Sequence, residues 1–195
     1  MYLEVYIAMA EEKSINIGDE ELAWYAMSAT FGRELKAKTF LESKDVTCFV
    51  PMRYEVVIDR KQGKVRKLVS AINNLIFVYT TKERIQSLKA ELTYLQYLTR
   101  PVNGRNVPII VPEYQMRQFI SICETQNESL QYISVSEINL EKGTRVRIVG
   151  GAFDGVEGVF VKVSGRRKKH VVVLIQDIAA VAVAELTDGY LKVLD

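Results

Sequence analysis

The first 122 residues alternate between hydrophobic patterns typical of strands and patterns typical of helices. Residues 22–29 form an apolar, aromatic run that predicts a buried strand, and Phe31 and Gly32 mark the turn after it. Residues 33–44 place apolar side chains among charged ones at helical spacing, which predicts an amphipathic helix. Further patterns predict strands at 47–50, 54–58, 65–69, 75–79 and 94–98, helices at 82–91 and from Pro112 onward, and a loop around Pro101, Gly104 and Pro108.

The last third of the chain has a different hydrophobic pattern. Beyond Leu140, valines and isoleucines alternate with other residues in short segments separated by glycines, which predicts a small β-barrel. We therefore expect an α+β protein with four parts: an acidic extension at 1–21, an antiparallel sheet flanked by helices at 22–122, a polar linker at 123–139, and a barrel at 140–195.

Charge is distributed unevenly between these parts, although the formal net charge is only +2. Residues 1–21 carry six acids and one lysine, whereas residues 22–122 carry sixteen Lys or Arg and eight acids. A basic region between acidic segments favours contact with a polyanion. A solvated basic face without a partner explains the charge equally well.

Several classes of protein are disfavoured by the sequence. Cys48, Cys123 and His170 are too few for a zinc site, and we expect both cysteines to be reduced core thiols. No nucleotide-binding or nucleophile–base motif is present, so we expect neither enzymatic activity nor a cofactor. No run is long enough to cross a membrane, and the apolar start lacks a basic leader, which predicts a cytoplasmic protein.

Residues 142–159 combine a strand, a glycine turn, a loop containing Phe153 and Asp154, and a second strand. We expect an exposed loop, with Gly155 and Gly158 supplying backbone angles that bulkier residues avoid. This stretch resembles a KOW motif, which occurs in SH3-like barrels that bind RNA or proteins.

A second resemblance lies in the first half of the chain. Trp24-Tyr25-Ala26-Met27, with Gly32-Arg33-Glu34 after it, resembles the opening of the NGN domain of NusG-type transcription elongation factors. Residues 48–52 and 74–78 are similar to its middle strands. The residues of these segments are most similar to those of specialised members, RfaH and especially UpxY. This similarity implies antitermination on a capsular polysaccharide operon.

The resemblance implies that an apolar face docks on the clamp helices of the largest RNA polymerase subunit. By position, the residues that carry over are Leu75 and Phe77, flanked by Tyr25 and Met52. Ordinary core packing is the competing interpretation. The chain departs from the family pattern here, since Asn73 and Leu75 stand where many members have proline and an aromatic residue.

The resemblance also places the first helix near non-template DNA. The residues concerned are Arg33, Lys36 and Lys38, although a solvated helix with a Glu34–Lys38 pair is the competing interpretation. In the barrel, we expect a hairpin tip that contacts nascent RNA or only increases solubility, formed by Arg166, Arg167, Lys168 and Lys169.

The implied partners are a small-subunit ribosomal protein or Rho at the barrel, and the family implies a monomer. Residues 171–175 are β-branched, so we expect no refolding into helices of the kind RfaH undergoes. A KOW-type RNA-binding protein of the translation machinery is the alternative function, and it gives residues 22–122 no role.

Overall fold

A computed structural model describes residues 18–125, 130–133, 143–162, 169–175, 178–183 and 190–194. Its helices are α1 (Glu34–Ser43), α2 (Lys82–Glu91) and α3 (Glu113–Glu124). Its strands are β1 (Ala23–Ala29), β2 (Thr47–Phe49), β3 (Met52–Asp59), β4 (Gly63–Ser70), β5 (Leu75–Thr80), β6 (Leu95–Tyr97), β7 (Thr99–Val102), β8 (Arg105–Pro108), β9 (Ile110–Val111), β10 (Leu130–Ile133), β11 (Thr144–Val149), β12 (Glu157–Lys162), β13 (Lys169–Ile175), β14 (Ala179–Val183) and β15 (Tyr190–Val193).

The chain divides into two compact units whose boundaries differ from the predicted domains. One unit comprises the described residues up to Pro51 together with Ser70–Met116. The other comprises Met52–Val69 and the described residues from Arg117 onward. The hairpin of β3 and β4 is thus grouped with the second unit, although the sequence placed it in the middle of the first.

The first unit is built on an antiparallel sheet with the order β2-β5-β1-β6. The short strand β9 shares with β6 the second edge of β1, where Trp24 lies opposite Val111 and Met27 opposite Tyr97. Helix α1 packs on β1, β2 and β5 through Ala37 and Leu41. This sheet with its helices confirms the α+β organisation expected for this region.

A hairpin in this unit occupies the segment that the sequence predicted as a loop. Strands β7 and β8 pair from Thr99 opposite Pro108 to Val102 opposite Arg105. Asn103 and Gly104 join them with φ angles of 49° and 75°. Such a left-handed pair matches the twist of a tight hairpin, and proline is tolerated because the strands form no larger sheet.

The second unit contains an antiparallel six-stranded sheet with the order β10-β14-β13-β12-β11-β15. Part of its core is a cluster of Ile133, Val159, Val161 and Val172, against which Leu174 packs. Strand β10 pairs with β14, so the predicted linker at 123–139 is wrong in part: residues 130–133 belong to the sheet. The short alternating strands predicted beyond Leu140 are confirmed where the chain is described.

The glycine-rich turn between β11 and β12 differs from its prediction in two respects. Phe153 lies in a 3-10 turn and is buried rather than exposed, because the turn folds back on the sheet. Gly155 has a φ of 80°, as expected, and its N–H donates to the Ile148 carbonyl over 2.8 Å. Gly158 has no left-handed φ; it is required by a close approach of β13, whose Val172 carbonyl would lie 2.7 Å from an added Cβ.

Candidate nucleic-acid interface

The turn between β1 and α1 carries the most exposed large hydrophobic side chain among the described residues. Phe31 is 88% exposed and has a φ of 63°, and Gly32 follows with a φ of 65°. The left-handed region costs a residue with a Cβ about 1–2 kcal/mol. A bulky aromatic residue that is both exposed and strained contributes nothing to the core, which marks it as a candidate binding residue.

Two segments distant in sequence hold this turn in place. Asn74 accepts the Gly32 N–H at its Oδ1 over 2.8 Å, and its carbonyl accepts the Ala29 N–H over 2.7 Å. The Tyr94 carbonyl accepts the Thr30 N–H over 3.0 Å. The turn is therefore fixed by hydrogen bonds on both sides, and the position of Phe31 is set by its backbone.

Arg33 lies between two aromatic rings. Its guanidinium carbon is 4.1 Å from the centre of the Tyr94 ring and 5.2 Å from that of Phe31. Its Nε also donates to the Thr30 carbonyl over 2.9 Å. Cation–π contacts of this kind restrain the guanidinium while leaving it charged. The arrangement provides an exposed ring beside a fixed positive charge.

The predicted basic residues of α1 differ in their surroundings. Lys36 is exposed one helical turn beyond Arg33, whereas Lys38 is half-buried and forms an i,i+4 pair with Glu42 at 3.7 Å. The suggested Glu34–Lys38 pair is not what the structure contains. Glu34 is buried, and the Ser70 hydroxyl donates to its carboxylate.

Three of the four residues predicted to form the polymerase-docking face are buried in the first sheet. Tyr25, Leu75 and Phe77 are at most 3% exposed. Strands β1 and β5 are buried along nearly their whole length, so both faces of the sheet are covered. This burial agrees with the competing interpretation of these three side chains as ordinary core, and their role in polymerase binding stays a prediction. Met52 is half-buried, and its role stays a prediction.

Burial of Tyr25 has an electrostatic consequence. Burial, with smaller contributions from the charges of Asp19 and Glu21, raises the pKa of the Tyr25 phenol. Its ring lies 5.9 Å from that of Tyr97, whose pKa burial raises to about 12. Both phenols stay neutral across the physiological range, as expected of core tyrosines.

The predicted basic tip of the second unit falls largely outside the described residues. Residues 166–168, and so Arg166, Arg167 and Lys168, lie there. The backbone of Lys169 begins β13 and pairs with Lys162. Within the described ranges, no group of His, Cys, Asp and Glu side chains is arranged to hold a metal ion, and no helix is both long and apolar enough to span a bilayer.

Sequence reasoning missed Phe31, Asn74 and Tyr94 as members of this site. Phe31 was interpreted only as a turn residue, and Asn74 only as a turn signal. Asn74 lies 42 residues from Gly32 in sequence, and only strand pairing brings them together. A usable signal was the Phe-Gly dipeptide itself, because Phe is not among the residue types that turns favour.

Comparison with known proteins identifies the family to which this chain belongs. A family model described as transcription termination factor NusG matches residues 22–120, just over half of the chain. The chain therefore belongs to the NusG family, a family of transcription factors that bind RNA polymerase and are not enzymes. None of the curated proteins matches the sequence.

Among solved structures, NusG from Thermotoga maritima, from a study of domain interaction in that protein, is 18% identical in sequence. The alignment covers 91% of this chain and 95% of that chain, with a TM-score of 0.38. The family model matches residues 22–120, a region that would have no role in an RNA-binding protein of the translation machinery. It therefore favours transcription over that alternative.

Proposed function

We propose that this chain is a transcription elongation and antitermination factor whose β1–α1 turn contacts single-stranded DNA in the transcription bubble. Membership of the NusG family supports the first part. The observation that carries the second is the exposed Phe31 ring beside the Arg33 guanidinium, with Lys36 one helical turn away. An unpaired base has a face for the ring, and the phosphate backbone has a charge for the cations.

The mechanism follows from these two kinds of contact. Stacking of a base on an aromatic side chain contributes about 1–3 kcal/mol and tolerates any sequence. Arg33 and Lys36 add an electrostatic contribution that weakens as salt rises. A protein anchored on the polymerase and holding one DNA strand restrains the bubble, which opposes pausing and termination.

The second unit is proposed to be a KOW domain that recruits a further partner, either a small-subunit ribosomal protein or Rho. Its antiparallel strands and the glycine turn between β11 and β12 support this proposal. We also propose that the factor acts as a monomer in the cytoplasm, is a specialised paralogue like UpxY or RfaH, and controls a polysaccharide operon. The sequence resemblance supports that assignment.

Single-round transcription with polymerase from the source organism tests the proposal. Read-through is measured on a capsule-operon leader and on a control leader, with and without the protein. We expect a leader-dependent increase in full-length transcript. Phe31→Ala should lose most of the increase while still binding polymerase, and Tyr114→Ala, which removes another exposed aromatic side chain, should retain it.

Other outcomes separate the parts of the proposal. An equal effect on both leaders contradicts the specialised role and leaves a general elongation factor. Full activity of Phe31→Ala contradicts the stacking role of the turn. Absence of any effect by the wild-type protein contradicts the function as a whole.

A further inference from the structure

The hairpin of β3 and β4 exposes hydrophobic side chains on one face. Among the described residues, nine large hydrophobic side chains are exposed, and four of them lie on this hairpin. These are Tyr54, Val56, Ile58 and Leu68. Val56 is 64% exposed and Ile58 82%. Such a concentration of exposed apolar surface, where the other described hydrophobic residues are mostly buried, marks an interaction site.

Alternation in the two strands places these side chains together. Residues two apart in a strand point to the same face, so Tyr54, Val56 and Ile58 share one. The Arg66 guanidinium lies over the Tyr54 ring at 4.2 Å, which places Arg66 on that face too. By the same alternation, Lys64 and Leu68 join them. We call this surface the apolar-basic face, formed by Tyr54, Val56, Ile58, Lys64, Arg66 and Leu68.

The charges of the hairpin are sorted between its two faces. Its acids, Glu55 and Asp59, alternate onto the opposite face, where Glu55 pairs with Arg53 at 3.3 Å and Asp59 with Lys67 at 3.5 Å. Hydrogen bonds from the backbone N–H groups of Lys61 and Gln62 lower the pKa of Asp59, which fixes its charge in the turn. The cations Lys64 and Arg66 therefore lie on the apolar-basic face, and the two acids of the hairpin lie on the other face.

We infer that the apolar-basic face docks on RNA polymerase, at a protein surface where an apolar cleft is bordered by carboxylates. This inference rests on the proposed function. The chemistry of the face selects this partner: Val56 and Ile58 are branched aliphatic side chains, which fill protein clefts but offer no ring for a base to stack on. Lys64 and Arg66 complement acidic residues at the rim of such a cleft.

The location also agrees with the burial of the first sheet. Tyr25, Leu75 and Phe77 are enclosed in the core, so they offer no surface to a partner in this conformation. The hairpin, in contrast, is a separate two-stranded sheet. A two-stranded sheet has little stability of its own, and contact with a partner would stabilise it.

Binding of the full-length protein to purified core polymerase tests the inference, measured by biolayer interferometry at two salt concentrations. Val56→Lys and Ile58→Lys should each weaken binding by about tenfold or more, because a charge then enters the apolar cleft. Val193→Lys is the matched control: Val193 is also a strand valine, 59% exposed, and its variant should stay within about twofold of wild type.

A charge-reversal pair keeps the test valid if a lysine variant is unstable. Arg66→Glu should weaken binding and reduce its dependence on salt, whereas Arg105→Glu, an exposed arginine of β8, should do neither. Circular dichroism and thermal melting verify that each variant is folded. Wild-type affinity in folded Val56→Lys and Arg66→Glu would overturn the inference and leave the proposed function intact.

Three further outcomes also overturn it, and two of them assign the face to a different partner. Failure of the wild-type protein to bind polymerase removes the proposed function and this inference with it. Loss of single-stranded DNA binding in Val56→Lys, with polymerase binding unchanged, would assign the face to nucleic acid. A wild-type dimer in light scattering that Val56→Lys dissociates would assign it to a second copy of the chain.

Discussion

Phe31 adopts a left-handed backbone conformation although its side chain is large and mostly exposed. Three other non-glycine residues with positive φ are Asp45, Asn74 and Asn103, and these residue types tolerate that region far better. Phenylalanine at position 31 therefore lowers the stability of the fold. The DNA contact that we propose for its ring explains why this residue is found there.

The first prediction concerns this strain. Phe31→Asn should increase the free energy of unfolding by about 0.5–1 kcal/mol, because asparagine tolerates the left-handed region. The same variant should bind single-stranded DNA more weakly, since the ring is gone. Chemical denaturation and fluorescence anisotropy measure the two effects. Phe31→Leu serves as the control: it keeps the strain and loses the ring. A less stable Phe31→Asn would contradict the account.

At this scale the sequence named the charged residues of the candidate site and missed its aromatic ones. Arg33 and Lys36 were named from their place after the first strand, and they lie beside Phe31 as neighbours in the chain. Tyr94 was not named, because only the pairing of β6 with β1 brings its ring under Arg33. The burial of Leu75 and Phe77 was also missed, since alternation along one strand does not report whether the second face of a sheet is covered.

At the scale of elements, hydrophobic periodicity predicted the long strands and helices. The residues that form tight turns were given too little weight, so short strands were missed. Strands β1 and β5 and helices α1 and α2 were all expected, because each is a continuous pattern of at least six residues. Strands β7 and β8 were missed because Pro101 and Pro108 were given more weight than the Asn103-Gly104 turn. Strand β10 was missed because four residues within a polar segment carry little pattern.

The packing of β12 against β13 yields the second prediction. Gly158→Ala should destabilise the second unit by about 1–3 kcal/mol, because the new Cβ would lie 2.7 Å from the Val172 carbonyl and 2.8 Å from Val171 Cγ1. Urea unfolding followed by far-ultraviolet circular dichroism measures the loss. Gly18→Ala is the control, since nothing lies within 4 Å of its Cβ. Equal urea midpoints of unfolding for the two variants would contradict this prediction, because β13 would then have shifted to accommodate the methyl group without loss of stability.

At the scale of the whole molecule, the second unit is assembled from segments far apart in sequence. The Tyr132 hydroxyl donates to the Met52 carbonyl over 3.4 Å, which joins β10 to the start of β3. Tyr132 also shares a hydrogen bond with Cys123, near the end of α3. His170, the second residue of β13, is buried in this unit as well.

The third prediction uses the two thiols as reporters of this assembly. Burial raises the pKa of Cys123 to about 12 and that of Cys48 to about 11, from an ordinary value of 9.0. At pH 8 both are protonated, so iodoacetamide should modify both slowly, because the thiolate is the nucleophile. Tyr132→Ala should accelerate modification of Cys123 at least about tenfold, because loss of the ring relieves the burial that raises the pKa of this thiol. This effect is larger than that of losing the Tyr132 hydrogen bond, which lowers the same pKa, and Cys48 should be unchanged.

Mass spectrometry of the two cysteine-containing peptides gives the rates. Tyr132→Phe, which keeps the ring and removes the hydroxyl, should preserve most of the protection of Cys123. Equal acceleration of both thiols by Tyr132→Ala would indicate general unfolding and contradict a local role for Tyr132.

The contact between Tyr132 and Met52 has a consequence for folding during synthesis. The hairpin of β3 and β4 is complete at Ser70, but its contact in β10 is added only when the ribosome reaches Tyr132. At roughly 5–20 residues per second, that interval lasts about 3–12 s. During it the hairpin, a two-stranded sheet with exposed aliphatic side chains, lacks the hydrogen bond from Tyr132 that holds its first strand, and chaperones bind surfaces of that kind. The speed of translation across residues 71–132 therefore bears on how much of the protein reaches its folded state.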